Sequence, residues 1–176
     1  MTKHELIDLL NTWENLAILV EEIGSQPELF AILMDIALNN PEQRSWRAAY
    51  LADQVHDKYP ELLLPYLEKM IVKLRTENNT SKKRHFLKLL SMNDIPERHF
   101  GFLVDYCLEK LASAKEPPAV RVHAMQVLFN ISEKEPELKP EILAIIKHEM
   151  EYHSTAGILS RGKKLANKLQ LQINKS

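Results

Sequence analysis

At 176 residues the chain has the length of one domain with room for a sizeable core, and its 45% hydrophobic and 27% charged content is ordinary for a globular protein. Its single cysteine rules out an internal disulfide and a cysteine-based metal framework, and four glycines are too few for a glycine-rich phosphate loop. The net charge of −1 conceals an acidic first 43 residues, with eight acids against Lys3 alone.

No stretch approaches the roughly 18 consecutive apolar residues of a membrane span. The start MTKHELIDLL also lacks the basic segment and apolar core of a signal peptide. We therefore expect a cytoplasmic protein that does not enter a membrane.

The first 24 residues predict two cap helices. One covers Lys3–Leu10 and the next runs from Thr12 to Ile23, where Gly24 ends it. The residues expected to face inward are Leu6, Ile7, Leu9 and Leu10 in the first helix and Trp13, Leu16, Ala17, Val20 and Ile23 in the second.

Capping patterns predict the later helix starts. Ser25 with Glu28 has capping-box spacing for a helix that reaches about Leu38, and Asn40 followed by Pro41 opens the next helix. Paired prolines predict single turns at 60–63 and 136–139, with main helices that start near Pro65 and Pro140. Asp94 with Glu97 predicts another cap, and the tail from Thr155 to about Ile173 predicts a last helix.

A period of 37 residues organises the middle of the chain. Arg47, Arg84 and Arg121 follow one another at that spacing. The apolar set of one second helix, Leu67, Met70, Ile71 and Leu74, falls 37 residues later on Val104, Cys107, Leu108 and Leu111. Such a period is typical of stacked helical repeats.

The stretch from Pro118 to Leu128, PAVRVHAMQVL, resembles the first helix of a HEAT repeat. The stretch from Trp46 to Leu51 resembles the same helix. The copy around Arg84 keeps only the arginine of the pattern. Arg161 with Leu165 resembles a last, degenerate copy. The resemblance covers residues 25–170. It implies an all-α, right-handed solenoid of about nine helices in antiparallel pairs, whose second helices line a concave surface. We expect a single domain over 1–176, with cap helices in 1–24, repeats in 25–154 and a C-terminal cap helix in 155–176.

The chain offers no catalytic motif, so we expect no enzyme and no cofactor. The segment from His148 to His153 is close to the zinc-binding pattern H-E-x-x-H, but its histidines are five residues apart. That spacing puts them about 140° apart around a helix, so we expect no metal there.

Two internal features have a structural interpretation. The three arginines at 37-residue spacing predict a ladder that bonds neighbouring repeats, since guanidinium has five donors in a rigid fork. Cys107 lies on an apolar stripe, which predicts a buried, structural thiol.

HEAT proteins usually act as scaffolds for protein partners, and a smaller branch binds DNA. If Cys107 faces inward, Phe102 and Tyr106 face outward, and these aromatics are the predicted anchors for a partner peptide or helix. The alternative is that Phe102 packs on a neighbouring helix. The predicted rim of this site is mainly cationic and favours an acidic partner: Lys69, Lys73, Lys110, Lys147 and His148. We expect a monomer or weak self-association through the acidic first 43 residues.

The alternative function is nucleic-acid binding through the basic segment 69–88. This segment has seven bases against Glu77, and its proposed contacts are Lys82, Lys83, Arg84 and Lys88. The sequence pI of about 6.7 argues against a dedicated nucleic-acid binder.

Overall fold

The computed structural model describes residues 1–175, which are helical throughout their regular structure and contain no strand. No helix in this range is both long and apolar enough to cross a membrane. The ten α-helices are α1 (Lys3–Thr12), α2 (Leu16–Gly24), α3 (Pro27–Asn39), α4 (Trp46–His56), α5 (Leu67–Leu74), α6 (Thr80–Ser91), α7 (Phe100–Ala112), α8 (Pro118–Ser132), α9 (Lys139–Tyr152) and α10 (Ala156–Ile173). The predicted all-α class is confirmed.

The helices form two compact units, Met1–Leu89 and the residues from Leu90 onward. In the first unit α3 packs against α1, α2 and α4. In the second unit α7 packs against α8, and α10 covers α8 and α9. Each unit has its own buried apolar core, and the arrangement as one domain remains a prediction.

A sharp break of the backbone separates the two cap helices. Trp13 and Asn15 both adopt left-handed backbone conformations, with φ of 60° and 53°. The Trp13 ring packs on Trp46 and Tyr50, with centroids 5.6 and 5.2 Å away. The second helix therefore begins at Leu16, and Leu9, which was expected to face inward, is exposed.

Proline and threonine marked several helix starts correctly. A 3₁₀ segment covers Pro136–Leu138 and α9 follows at once, as predicted. The segment at Pro60–Tyr66 is longer than the predicted single turn and includes Pro65, so α5 begins only at Leu67. Thr155 caps α10 by accepting a hydrogen bond from the backbone of Ile158.

Three predicted caps are wrong. Asn40 with Pro41 does not open a helix directly, because a 3₁₀ segment at Gln43–Ser45 follows and α4 begins only at Trp46. Ser25 and Glu28 do not form a capping box, because α3 begins at Pro27 after Gln26. Asp94 does not cap α7 either: a 3₁₀ turn at Glu97–His99 precedes that helix, and the Asp94 carboxylate accepts a bond from Lys134 at 2.6 Å. The capping box that does form joins Thr2 and Glu5 at the start of α1.

The helices α4, α6 and α8, each predicted as the first helix of a repeat, follow one another with steps of 34 and then 38 residues, not 37. Every buried residue of α4 has a buried counterpart in α6 34 positions later, from Ala48 and Lys82 at one end to His56 and Leu90 at the other. Between α6 and α8 the step is 38, as from Lys82 to Val120. Arg47 and Arg84 are therefore not equivalent positions.

Candidate functional site

An open groove of about 550 Å³ lies in the first unit, between the end of α3 and the length of α5. Both are second helices of their pairs, which is where the sequence placed the partner-binding surface. The groove is lined by Leu38, Asn39, Glu68, Lys69, Val72, Lys73, Arg75 and Thr76.

The helical period of α5 explains why these side chains face the groove. Leu67, Met70, Ile71 and Leu74 turn into the core, as predicted from the sequence. The remaining face carries charged residues with one apolar exception, Val72, whose residue is 57% exposed. More than half of the Val72 surface therefore stays in contact with water after the chain has folded.

The groove is electropositive. Lys69, Lys73 and Arg75 contribute three cations to its lining and Glu68 one anion. The Lys69 ammonium lies 5.3 Å from the centroid of the Tyr66 ring, and Lys73 lies 4.0 Å from the Glu77 carboxylate. A concave, cationic surface with an apolar floor favours an anionic ligand that also has an apolar side.

The predicted aromatic anchors in the second unit are placed differently. Tyr106 is only 8% exposed, so the expectation that it faces outward is wrong. Phe102 is half-buried, with its ring centroid 5.6 Å from that of Tyr106. The cause is the packing of α7 against α8, which buries Phe100, Leu103, Tyr106, Cys107 and Leu111.

The predicted rim residues of the second unit are partly engaged within that unit. Lys110 lies over the Tyr106 ring at 5.1 Å and pairs with Glu109 at 2.8 Å and Glu116 at 3.6 Å. Lys147 is exposed and donates to the side chain of Gln170. His148 belongs to a cluster at the end of α9 that is described below.

The predicted nucleic-acid contacts are largely internal. Lys82 and Lys83 are buried, and the Lys82 ammonium donates to the Asn40 carbonyl at 3.0 Å. Burial lowers the pKa of Lys82. Lys88 pairs with Asp53 at 2.8 Å, which leaves Arg84 as the exposed member of the proposed set. Cations held in the interior cannot replace the counterions of a phosphate backbone, so Lys82 and Lys83 are not available for the predicted contacts, and nucleic-acid binding by the rest of segment 69–88 remains a prediction.

Asp53 is the acid that the sequence interpretation missed. It lies in α4, 32 residues before His85, and its carboxylate contacts the His85 ring at 3.0 Å and the Lys88 ammonium at 2.8 Å. Burial alone would raise the pKa of Asp53, but hydrogen bonds from His85 and Lys88 outweigh it and hold this pKa below its ordinary value. Asp53 and His85 are separated by about one repeat, and this spacing could have identified them as a pair in the sequence.

The predicted arginine ladder is wrong, because steps of 34 and 38 residues align Arg47 with Ala119 and not with Arg121, but two of the three arginines do bond neighbouring helices. Arg47 donates to the carbonyls of Leu10 and Asn11 at the end of α1. Arg121 is buried and donates to Leu111, Glu149 and His153. Arg84 is exposed, because the true step between α4 and α6 gives Ser81, not Arg84, the position that Arg47 occupies.

The histidines at the end of α9 are close together after all. α9 ends at Tyr152, and His153 leaves the helical conformation with φ of −135° and ψ of 40°. Its ring consequently lies against Glu149, with Nδ1 3.0 Å from Oε2, while His148 Nδ1 lies 2.9 Å from Oε1. The predicted angle of about 140° between the two histidines assumed that the helix continues through His153, and this assumption is wrong.

A model of the HEAT repeat domain family matches residues 3–169 of the chain. A search of curated proteins and a search of solved structures each found no match. The matched range includes all ten helices of the described residues, in whole or in part.

Proposed function

The chain belongs to the HEAT repeat domain family, and from that premise we propose that it is a cytoplasmic, non-enzymatic scaffold for another protein. The partner contributes an acidic helix or peptide, which binds in the groove between α3 and α5. HEAT repeats typically serve as protein-interaction surfaces, and a stack of rigid helices loses little conformational entropy on binding.

The observation that carries this proposal is Val72, an exposed valine in a groove with three cations. Full burial of a valine side chain contributes about 1.5–3 kcal/mol. Since Val72 is 57% exposed, an apolar residue of the partner that covers it gains roughly half of that. Lys69, Lys73 and Arg75 favour acidic residues beside that contact. Their charges accelerate and orient the encounter more than they strengthen the complex.

The proposal keeps Lys69 and Lys73 from the set predicted by the sequence and replaces its aromatic anchors. Tyr106 is too buried to serve as the first contact with a partner. Phe102, Lys110, Lys147 and His148 remain predicted contacts for a longer partner. A monomer, or weak self-association, remains the predicted oligomeric state.

The experiment starts with a photo-crosslinking amino acid at position 69, in the groove, and a matched one at Ile18, which is 66% exposed on α2. Proteins that crosslink in the native lysate from position 69 alone are identified, and their acidic segments are made as labelled peptides. Peptide affinity is then measured for the wild type, Val72→Glu and Ile18→Glu, after circular dichroism confirms equal folding.

We expect Val72→Glu to weaken binding about tenfold or more, a change of at least about 1.4 kcal/mol, and Ile18→Glu to have no effect. The association rate should fall as salt rises, because the cations attract the peptide at long range. Equal affinity of both variants, or crosslinking from Ile18 alone, contradicts the proposal.

A further inference from the structure

Three potential metal ligands meet at the C-terminal end of α9: His148, Glu149 and His153, named here the α9 cluster. One nitrogen of each imidazole and one carboxylate oxygen all lie within 4.8 Å of one another. The two imidazoles are partly exposed, with side-chain exposures of 54% and 41%, whereas the Glu149 side chain is 2% exposed. The cluster thus has a fixed acidic centre and two imidazoles open to solvent.

Arg121 fixes the geometry of this cluster from the neighbouring helix α8. Its Nη2 donates to Glu149 Oε2 at 2.7 Å, and its Nη1 donates to the backbone carbonyl of His153 at 3.0 Å. Its Nε is bound to the carbonyl of Leu111, so the guanidinium itself cannot rotate away. One buried side chain therefore positions both the carboxylate and the residue that bends back towards it.

We propose that the α9 cluster binds a divalent transition-metal ion such as Zn²⁺ through His148 Nδ1, His153 Nδ1 and Glu149. Imidazole nitrogens and a carboxylate oxygen are ligands that Zn²⁺ prefers, at about 2.0–2.2 Å, and three protein ligands with one water complete a tetrahedral site. Bond lengths of that size place neighbouring ligand atoms roughly 3.3 Å apart. The contact of 2.9 Å between His148 Nδ1 and Glu149 Oε1 is close to this spacing, and the three ligand atoms all lie within 4.8 Å of one another.

The charge of Arg121 determines which carboxylate oxygen coordinates the ion. Oε2 accepts the guanidinium bond at 2.7 Å, so Oε1, on the side of His148, is the oxygen that can be given to a cation. The positive guanidinium opposes the ion and limits the affinity, while its hydrogen bonds lower the cost of organising the ligands. Each imidazole must have a free lone pair on Nδ1 to coordinate the ion.

The test uses the full chain without a histidine tag, at pH 7.5. Zn²⁺ is titrated by calorimetry and Co²⁺ by visible absorption, because tetrahedral Co²⁺ has a distinctive spectrum. The variants are His148→Ala and His153→Ala. The matched control is His4→Ala, which removes a histidine whose side chain is 86% exposed on α1.

We expect one Zn²⁺ per chain, binding at least about tenfold weaker in each cluster variant, and a Co²⁺ spectrum of tetrahedral type that both variants lose. The His4→Ala variant should bind like the wild type. The proposal is overturned if the wild type binds neither ion, if both cluster variants bind as the wild type does, or if His4→Ala weakens binding as much as they do. Circular dichroism of the metal-free variants separates loss of ligands from loss of folding, since both substituted side chains are partly exposed.

Discussion

Asp53 of α4 contacts His85 of α6 at 3.0 Å, and both side chains are almost completely buried. The same carboxylate pairs with Lys88, one turn further along α6. A polar network thus joins the first helices of two consecutive pairs in a region whose other buried residues are mostly apolar. Because buried polar groups are costly when they lose a partner, this contact specifies how α4 and α6 align.

We expect Asp53→Asn to lower the free energy of unfolding by about 1–3 kcal/mol at pH 7, because it leaves buried donors without a carboxylate. Urea denaturation followed by circular dichroism measures the loss. The matched control is Asp57→Asn, which changes an exposed aspartate next to the same helix and should shift stability by less than about 0.5 kcal/mol. Equal losses in the two variants would contradict a special role for Asp53.

The stabilisation by Asp53 should disappear in acid. Its pKa is lower in the folded chain than its ordinary value of 3.8, so the folded state binds fewer protons and stability rises with pH. The contribution is fully present above that ordinary value and is lost as pH falls through the lower folded pKa. The difference in unfolding free energy between wild type and Asp53→Asn should therefore narrow as the pH falls from 5 to 3. A gap that stays constant to pH 3 contradicts this assignment.

Arg121 and Arg84 provide a test of the arginine ladder. Arg121→Lys should cost about 2 kcal/mol or more, because one ammonium cannot replace three directed bonds to Leu111, Glu149 and His153. Arg84→Lys should change stability by less than about 0.5 kcal/mol, since Arg84 is exposed. Similar losses at both positions would restore the ladder that the 37-residue spacing suggested.

The sequence was sufficient to predict the helices and the class of fold. Proline pairs predicted where α5 and α9 begin, and Thr155 predicted α10, because these residues act through their own backbone and need no distant partner. The predicted inward face of α5 is confirmed at all four of its positions. The positions of proline and threonine and the helical period were therefore enough to predict these helices.

The average period of 37 residues was not accurate enough to predict which side chains form the candidate site. A shift of one residue turns a helix by 100°, so a step of 34 or 38 in place of 37 changes which side chains face inward. Lys82 and Lys83 consequently occupy buried positions, although their charge suggested a surface. Asp53 and Arg121 bond groups that lie outside their own helices. A single sequence does not show which helices are in contact at these positions.

Cys107 should react slowly with thiol reagents in the native protein. It is fully buried, and burial raises the pKa of its thiol, so little thiolate forms at pH 8. We expect labelling by a chromogenic disulfide to be slow in buffer and complete within the mixing time in 6 M guanidinium, where the reagent reaches the thiol freely. Native labelling as fast as that of the unfolded chain would place Cys107 at the surface.

Leu103 and Leu108 distinguish the observed face of α7 from the face that the 37-residue period predicts. The period makes Leu108 a core position, equivalent to Ile71, whereas in the structure Leu103 is fully buried and Leu108 only half-buried. Three of the four buried positions of α5 have a buried counterpart in α7 36 residues later, as from Leu67 to Leu103 and from Met70 to Tyr106, and this step turns Tyr106 inward. We therefore expect Leu103→Ala to cost roughly 2–5 kcal/mol, the range for a packed leucine, and Leu108→Ala clearly less. Urea denaturation of both variants gives the comparison within one helix, and a larger loss at Leu108 would mean that Tyr106 faces solvent.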